Sequence, residues 1–251
     1  MRASTATSFL LSVVASGVQA AEWSGSYKFG NMFYTGPTKK GVTITKATYS
    51  LIPPTTPCGY ATSGGNEELA FWIGIQNDPT DVDVAQIDFV QPLLNWAPDQ
   101  QATGCDSDNK KWCVTASTYT PEGQLVAGYS PVEAGTQLDF ELVSGSSIKQ
   151  TVSSGGKVIS TQSNAAGMQP AVFYGANECY LQTCGTLGAY TWSNITVHLS
   201  AADPNYGNTL SLTGAVSDGF ETSDGGKTWT NAGITINKDY LYTDNQEHEC
   251  K

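Results

Sequence analysis

Short segments in which apolar and polar side chains alternate recur along this chain, separated by glycine, proline and serine clusters; helical periodicity of useful length does not occur. Alternation sends successive side chains to opposite faces of a strand, so each segment can bury one face and leave the other to solvent. Gly41–Ile52 ends in the breaker Pro53-Pro54, and Glu68–Ile75 follows a Ser63-Gly64-Gly65-Asn66 turn signal. Further strands are expected at 84–94, 112–120, 137–143, 147–152, 157–162, 170–178, 191–199 and 233–236, with Ser144-Gly145-Ser146 and Ser154-Gly155-Gly156 as turns. Turn signals about every ten residues belong to an all-β fold, an antiparallel two-sheet sandwich of jelly-roll type. No linker or second composition regime interrupts the pattern, so residues 21–251 read as one domain.

Residues 1–20 read as an export signal. Arg2 supplies the positive end, Phe9–Ala15 the apolar middle, and Val18-Gln19-Ala20 a small-residue cleavage pattern. That apolar run is too short to span a bilayer, and the rest is expected to be secreted and extracellular. Twelve basic against twenty-three acidic residues exclude the dense cationic footprint that nucleic acid or an anionic membrane requires. With only 14% of residues charged, few carboxylate pairs hold the fold, and acid tolerance is expected.

Six cysteines in an exported chain imply three disulfides, out of fifteen formal pairings. Cys105 and Cys113 flank one short polar loop, Cys179 and Cys184 another; Cys58 is left for Cys250. There is no C-x-x-C pair and only His198 and His248, so no metal site and no cofactor is expected. Asn194-Ile195-Thr196 is a glycosylation sequon.

Two distant segments each set one hydrogen-bonding side chain in an apolar or aromatic run: Gln91 in Ile87–Trp96 and Glu178 in Ala171–Tyr180. An amide and a carboxyl facing each other can hold an oxyanion and activate a water, sufficient for amide hydrolysis without metal, serine or cysteine. Around them, Glu22-Trp23-Ser24-Gly25, Ala47–Pro53, Trp72-Ile73-Gly74-Ile75-Gln76, Val90-Gln91-Pro92-Leu93, Phe173–Glu178 and Gly188–Asn194 follow one another in an order and spacing that resemble the fungal glutamic peptidases, the eqolisins. The resemblance covers nearly the whole chain after the leader. It implies a sandwich of the concanavalin A-like lectin and glucanase type, a polypeptide substrate cut at acidic pH, and a catalytic pair at Gln91 and Glu178 within about one water of each other. Gln76, Trp72 and Trp112 would line the cleft. Gln76 stands where the family has an acid, the family's Trp-Tyr-Glu-Trp-Tyr strand is reduced to Trp112–Ala116, and Gly175 and Asn177 replace bulky apolar residues.

A second reading stays open: the same face binds cell-wall glycan as a non-peptidase sandwich, with Trp72, Trp96 or Trp112 stacking on sugar rings. A glycoside hydrolase needs two carboxyl groups, and one is expected on this face, because Asp88 alternates away from Gln91. Thr222–Trp229 matches an Asp-box pattern and reads as a plain hairpin. A monomer is expected.

Overall fold

The computed structural model describes residues 23–24, 27–60, 67–80, 88–181, 183–244, 246–248 and 250. The export signal, the 63–66 turn and the start of the 84–94 segment lie outside them. In chain order the strands are β1 (Trp23–Ser24), β2 (Tyr27–Thr35), β3 (Ile44–Leu51), β4 (Glu68–Gln76), β5 (Phe89–Val90), β6 (Leu93–Trp96) and β7 (Lys111–Thr115). There follow β8 (Ser117–Thr120), β9 (Gly123–Val126), β10 (Ser130–Glu133), β11 (Leu138–Ser144), β12 (Ile148–Ser154) and β13 (Lys157–Asn164). The chain ends with β14 (Val172–Tyr180), β15 (Gly185–Leu187), β16 (Tyr190–Leu199), β17 (Ser211–Thr213), β18 (Ala215–Ser217), β19 (Thr228–Ile236) and β20 (Asp239–Leu241). No helix among the described residues is long and apolar enough to cross a membrane.

Two antiparallel sheets form the sandwich. Among the described residues the larger has eleven strands with the main path β1-β2-β14-β4-β5-β8-β9, and the smaller has seven in the order β13-β12-β11-β3-β16-β19-β18. Between them lie Phe33, Phe71, Ile73, Phe173, Trp96 and Trp112 of the larger sheet and Tyr49, Leu51, Phe140, Leu142, Trp192 and Ile234 of the smaller. Within the smaller sheet Tyr49 stacks on Phe140 and meets Trp192 edge-on, and its edge-on contact with Phe173 joins the two layers.

The expected strand 84–94 is broken where the chain reaches Pro92. Val90 pairs with Ile75 and Leu93 with Trp72, so Gln91 and Pro92 stand opposite Gly74 and Ile73 without a bulge. Proline has no N–H for a ladder bond. The Tyr49 hydroxyl, reaching over from the smaller sheet, donates instead to the Ile73 carbonyl at 3.0 Å. Beyond the break β5 continues to β8, and β6 to β7. The expected strand 112–120 divides likewise at Ala116, whose N–H bonds Ser160 Oγ, and the last expected strand is longer, beginning at Thr228.

All three disulfides join the expected partners: Cys58–Cys250, Cys105–Cys113 and Cys179–Cys184. The Asp-box segment is a tied hairpin turn. Asp224 Oδ1 accepts from Lys227 N–H, Thr228 N–H and Thr222 Oγ1, and these donors, the Thr228 N–H first, hold its pKa down at about 2.

Candidate functional site

The site is the outer face of the larger sheet, and alternation decides which residues reach it. On β4, Leu69, Phe71, Ile73 and Ile75 enter the core between the sheets, so Glu68, Ala70, Trp72, Gly74 and Gln76 point the other way. Phe173 and Cys179 of β14 are core, which turns Val172, Tyr174, Ala176, Glu178 and Tyr180 outward. Val90, Leu94 and Trp96 are core; Phe89, Gln91, Leu93 and Asn95 have the opposite parity.

This face buries a second apolar cluster: Trp72, Phe89, Leu93, Val172, Tyr174 and Ala176, flanked by Phe29, Met32, Tyr34 and Tyr129. Val172 is 0% and Ala176 3% exposed although both point away from the main core, so the face is a recess walled by taller side chains. Its β2 wall depends on a bulge. Ala176 pairs with Met32 and Glu178 with Phe29, so two residues of β2, Gly30 and Asn31, oppose the single Asn177, and Phe29 and Met32, three apart, both face the recess.

Behind the bulge, in the buried layer, Asp239 Oδ2 accepts from Asn31 N–H at 2.6 Å and Asn177 Nδ2 at 2.8 Å, while Tyr190 donates to Asn177 Oδ1 at 2.6 Å. Residue 30 must be glycine here. A Cβ would fall 1.9 Å from Asp239 Oδ2.

Register sets the floor in rows. One row is Glu178, Ala70 and Asn95; the next is Ala176, Trp72 and Leu93; beyond it stand Tyr174, Gly74 and Gln91. The expected pairing of Gln91 with Glu178 is thus not the arrangement found. Gln91 lies two rows away, about 13 Å along the strand at about 3.3 Å per residue, with Trp72 and Leu93 between. The amide in the row of Glu178 is Asn95, 3% exposed, across the methyl of Ala70.

Glu68, opposite Tyr180 and diagonal to Glu178, is a second carboxyl on this face, where one was expected. Its Oε2 accepts from Asn95 Nδ2 at 3.3 Å. Asp88 lies immediately before β5, and burial raises its pKa, with Glu122 adding to this.

Burial pushes the Glu178 pKa up to about 7; the indole N–H of Trp72, donating to Oε2 at 2.9 Å, works against this, and the neighbouring charge of Glu68 adds to it. Glu68 is also raised by burial, opposed by the Asn95 amide. Tyr27 is pushed up to about 12 by burial and then by Glu178, with Tyr180, Tyr119 and Glu68 contributing; Tyr129 reaches about 12 by burial and Glu68. A carboxyl near pH 7 in an aromatic recess can both take and give a proton under mild conditions.

Of the remaining expected residues, Gln76 lies on the outer face and accepts from the Tyr174 hydroxyl at 2.9 Å, at the far end from Glu178. Trp112 does not line the recess. It is 0% exposed, packs edge-on against Phe71 and donates to the Pro54 carbonyl, because its strand turns Trp112 and Val114 into the core. Trp96 is core for the same reason, which leaves Trp72 as the recess indole of the three. Gln91 is buried, bonds Ser117 O through its N–H, and its Oε1 has no donor among the described residues. Asn194 is exposed on the outer face of the smaller sheet, in a bulge of β16 with φ 53°. Asn95 and Glu68 were missed by sequence reasoning, although Glu68 shares the parity of Trp72 four residues on.

No family model matches the chain, and no curated protein matches it. Among solved structures it is similar to scytalido-glutamic peptidase bound to a transition state analog inhibitor, with 13% identity and a TM-score of 0.49 over 81% of this chain and 97% of that one. It is similar also to SCP-B, a member of the eqolisin family of peptidases in complex with a tripeptide, at 12% identity and TM-score 0.44 over 81% and 96% of the two chains. A prokaryotic β-1,3-1,4-glucanase (lichenase) from a mouse hindgut metagenome follows at 9% identity and TM-score 0.31, over 88% and 82%.

Proposed function

We propose that this chain is a secreted hydrolase of polypeptides in which Glu178 is the acid/base and Asn95, in place of Gln91, supplies the amide. The observation that carries this is the row Glu178–Ala70–Asn95, where a small side chain leaves room for a scissile bond between a proton carrier and an amide donor. Glu178 would take a proton from water as it attacks the carbonyl and return it to the leaving amine, while Asn95 N–H faces the oxyanion. The orphan Oε1 of Gln91, two rows on, suits an N–H of an extended substrate lying along the strands. A base ionising near pH 7 is mostly neutral in acid, so the acidic optimum that an ordinary glutamate would favour moves toward neutrality. The three disulfides fit an oxidising, extracellular setting.

The rival is a glycan ligand on the same face, favoured by the Trp72 indole and the tyrosines around it. Purified chain is incubated with a denatured protein and with cell-wall glycans across acidic to alkaline pH. Peptide release that is strongest near neutrality and lost in Glu178→Gln supports the proposal. Glycan binding without peptide release at any pH decides for the rival.

A further inference from the structure

Glu178 has been given both proton transfers, yet a second carboxyl stands diagonally beside it. Diagonal neighbours on adjacent antiparallel strands lie about 7–8 Å apart, within reach of long side chains. Both carboxyls face one recess, and each has its own donor: Asn95 Nδ2 on Glu68 and the Trp72 indole on Glu178. Among the described residues, groups from four strands and one loop face this pair. They are Tyr174 and Tyr180 on β14, Trp72 on β4, Tyr27 and Phe29 on β2, Asn95 on β6, and Tyr129 ahead of β10, whose phenol feels Glu68. Among the described residues, the charges that shift Glu178, Tyr27 and Tyr129 are those of acidic groups.

We infer, resting on the hydrolase reading, that Glu68 and Glu178 form one coupled pair, with Glu68 the base toward water and Glu178 the acid toward the leaving group. Two neighbouring carboxylates do not ionise together at low cost, so the pair carries one proton over a range of pH. Burial places that proton on Glu178, the group raised to about 7.

In the reactive state Glu68 is ionised and Glu178 protonated. Glu68 takes one proton from water as the new C–O bond forms and the carbonyl electrons move to oxygen, opposite the Asn95 amide. The C–N bond then breaks, the amine leaves with the proton of Glu178, and the proton on Glu68 passes back to Glu178 to close the cycle. No metal, oxidant or second nucleophile enters.

The test uses Glu68→Gln, Glu68→Asp and Glu178→Gln in the full chain, with thermal unfolding to show that each folds. Side-chain carbon NMR of labelled glutamate follows the titrations without any substrate. In Glu68→Gln the Glu178 midpoint falls, because its acidic neighbour is gone, and peptide turnover drops by about 10²–10⁴-fold. Glu68→Asp recovers part of that turnover. A Glu178 midpoint unchanged in Glu68→Gln, or Glu68→Gln turning over like wild type while Glu178→Gln is dead, overturns the pair and leaves the hydrolase reading standing. Wild type inert toward polypeptide at every pH overturns the hydrolase reading and with it the base and acid roles, while the NMR arm still decides whether the two carboxyls share one proton.

Discussion

The two outer faces of the sandwich are built by the same alternation and hold opposite contents. On the smaller sheet Thr48, Ser50, Asp139, Glu141, Thr151, Ser153 and Asn194 line a shallow, open hollow, and Glu141 pairs with Lys46 in solvent. On the larger sheet the outward residues are largely aromatic and aliphatic, and the half-buried carboxyls among them, Glu68 and Glu178, have pKa values raised by desolvation. Carboxyls thus occur on both faces, and what differs is the company each keeps. A half-exposed glutamate with a lysine partner is worth little to stability. Glu178 meets an indole, phenols and another carboxyl, and its ionisation is set by burial.

The sharpest way to break this contrast is to neutralise one glutamate from each face. Glu178→Gln is expected to lower peptide hydrolysis by about 10²–10⁴-fold, and Glu141→Gln to leave the rate within about twofold. Equal losses in a steady-state assay would show that the recess is not the site.

Within the recess, Asn95→Ala should cost about 10²–10³-fold in kcat through the lost oxyanion donor, whereas Gln91→Ala should act on KM, by about fivefold to tenfold for one substrate hydrogen bond. The reverse pattern would restore Gln91 as the catalytic amide.

Stability gives a third contrast. The folded pKa of Glu178 lies above its ordinary 4.5, so the native state binds the proton more tightly than the unfolded chain. The stability this confers is complete below about pH 4.5 and lost as pH rises through about 7. Denaturant midpoints of wild type should therefore fall relative to those of Glu178→Gln over that interval, a trend that Glu141→Gln does not alter. The smallest effect belongs to Trp72→Phe, which removes a donor to the ionised carboxylate; the Glu178 midpoint should rise by up to about one pH unit in an NMR titration. A fall would mean that burial, not the indole, had been relieved.

The sandwich was legible because alternation and turn chemistry are local, and the disulfides because two of the three loops are short. What escaped depends on contacts remote in sequence. β2 was overlooked: Gly30 and Asn31 spoil its alternation, and they make sense only against Asp239. Trp112 and Trp96 looked like platform residues, and only the parity of their strands in the folded sheet sends them to the core. Glu68 was within reach of a parity argument from Trp72. Asn95 was not, because which amide shares the row of Glu178 depends on how many residues β5, the Pro92 break and β6 spend before the register with β4 is fixed.

Asp239 also has a consequence in time. The backbone N–H it binds, that of Asn31, precedes it by 208 residues, and Asn177 precedes it by 62. A chain emerging from its N-terminal end makes Gly30 and Asn31 long before the carboxylate that holds them, and closing so long a loop costs entropy that only an assembled sandwich offsets. The bonds that hold the β2 bulge beside Glu178 thus cannot form until residue 239 has been made.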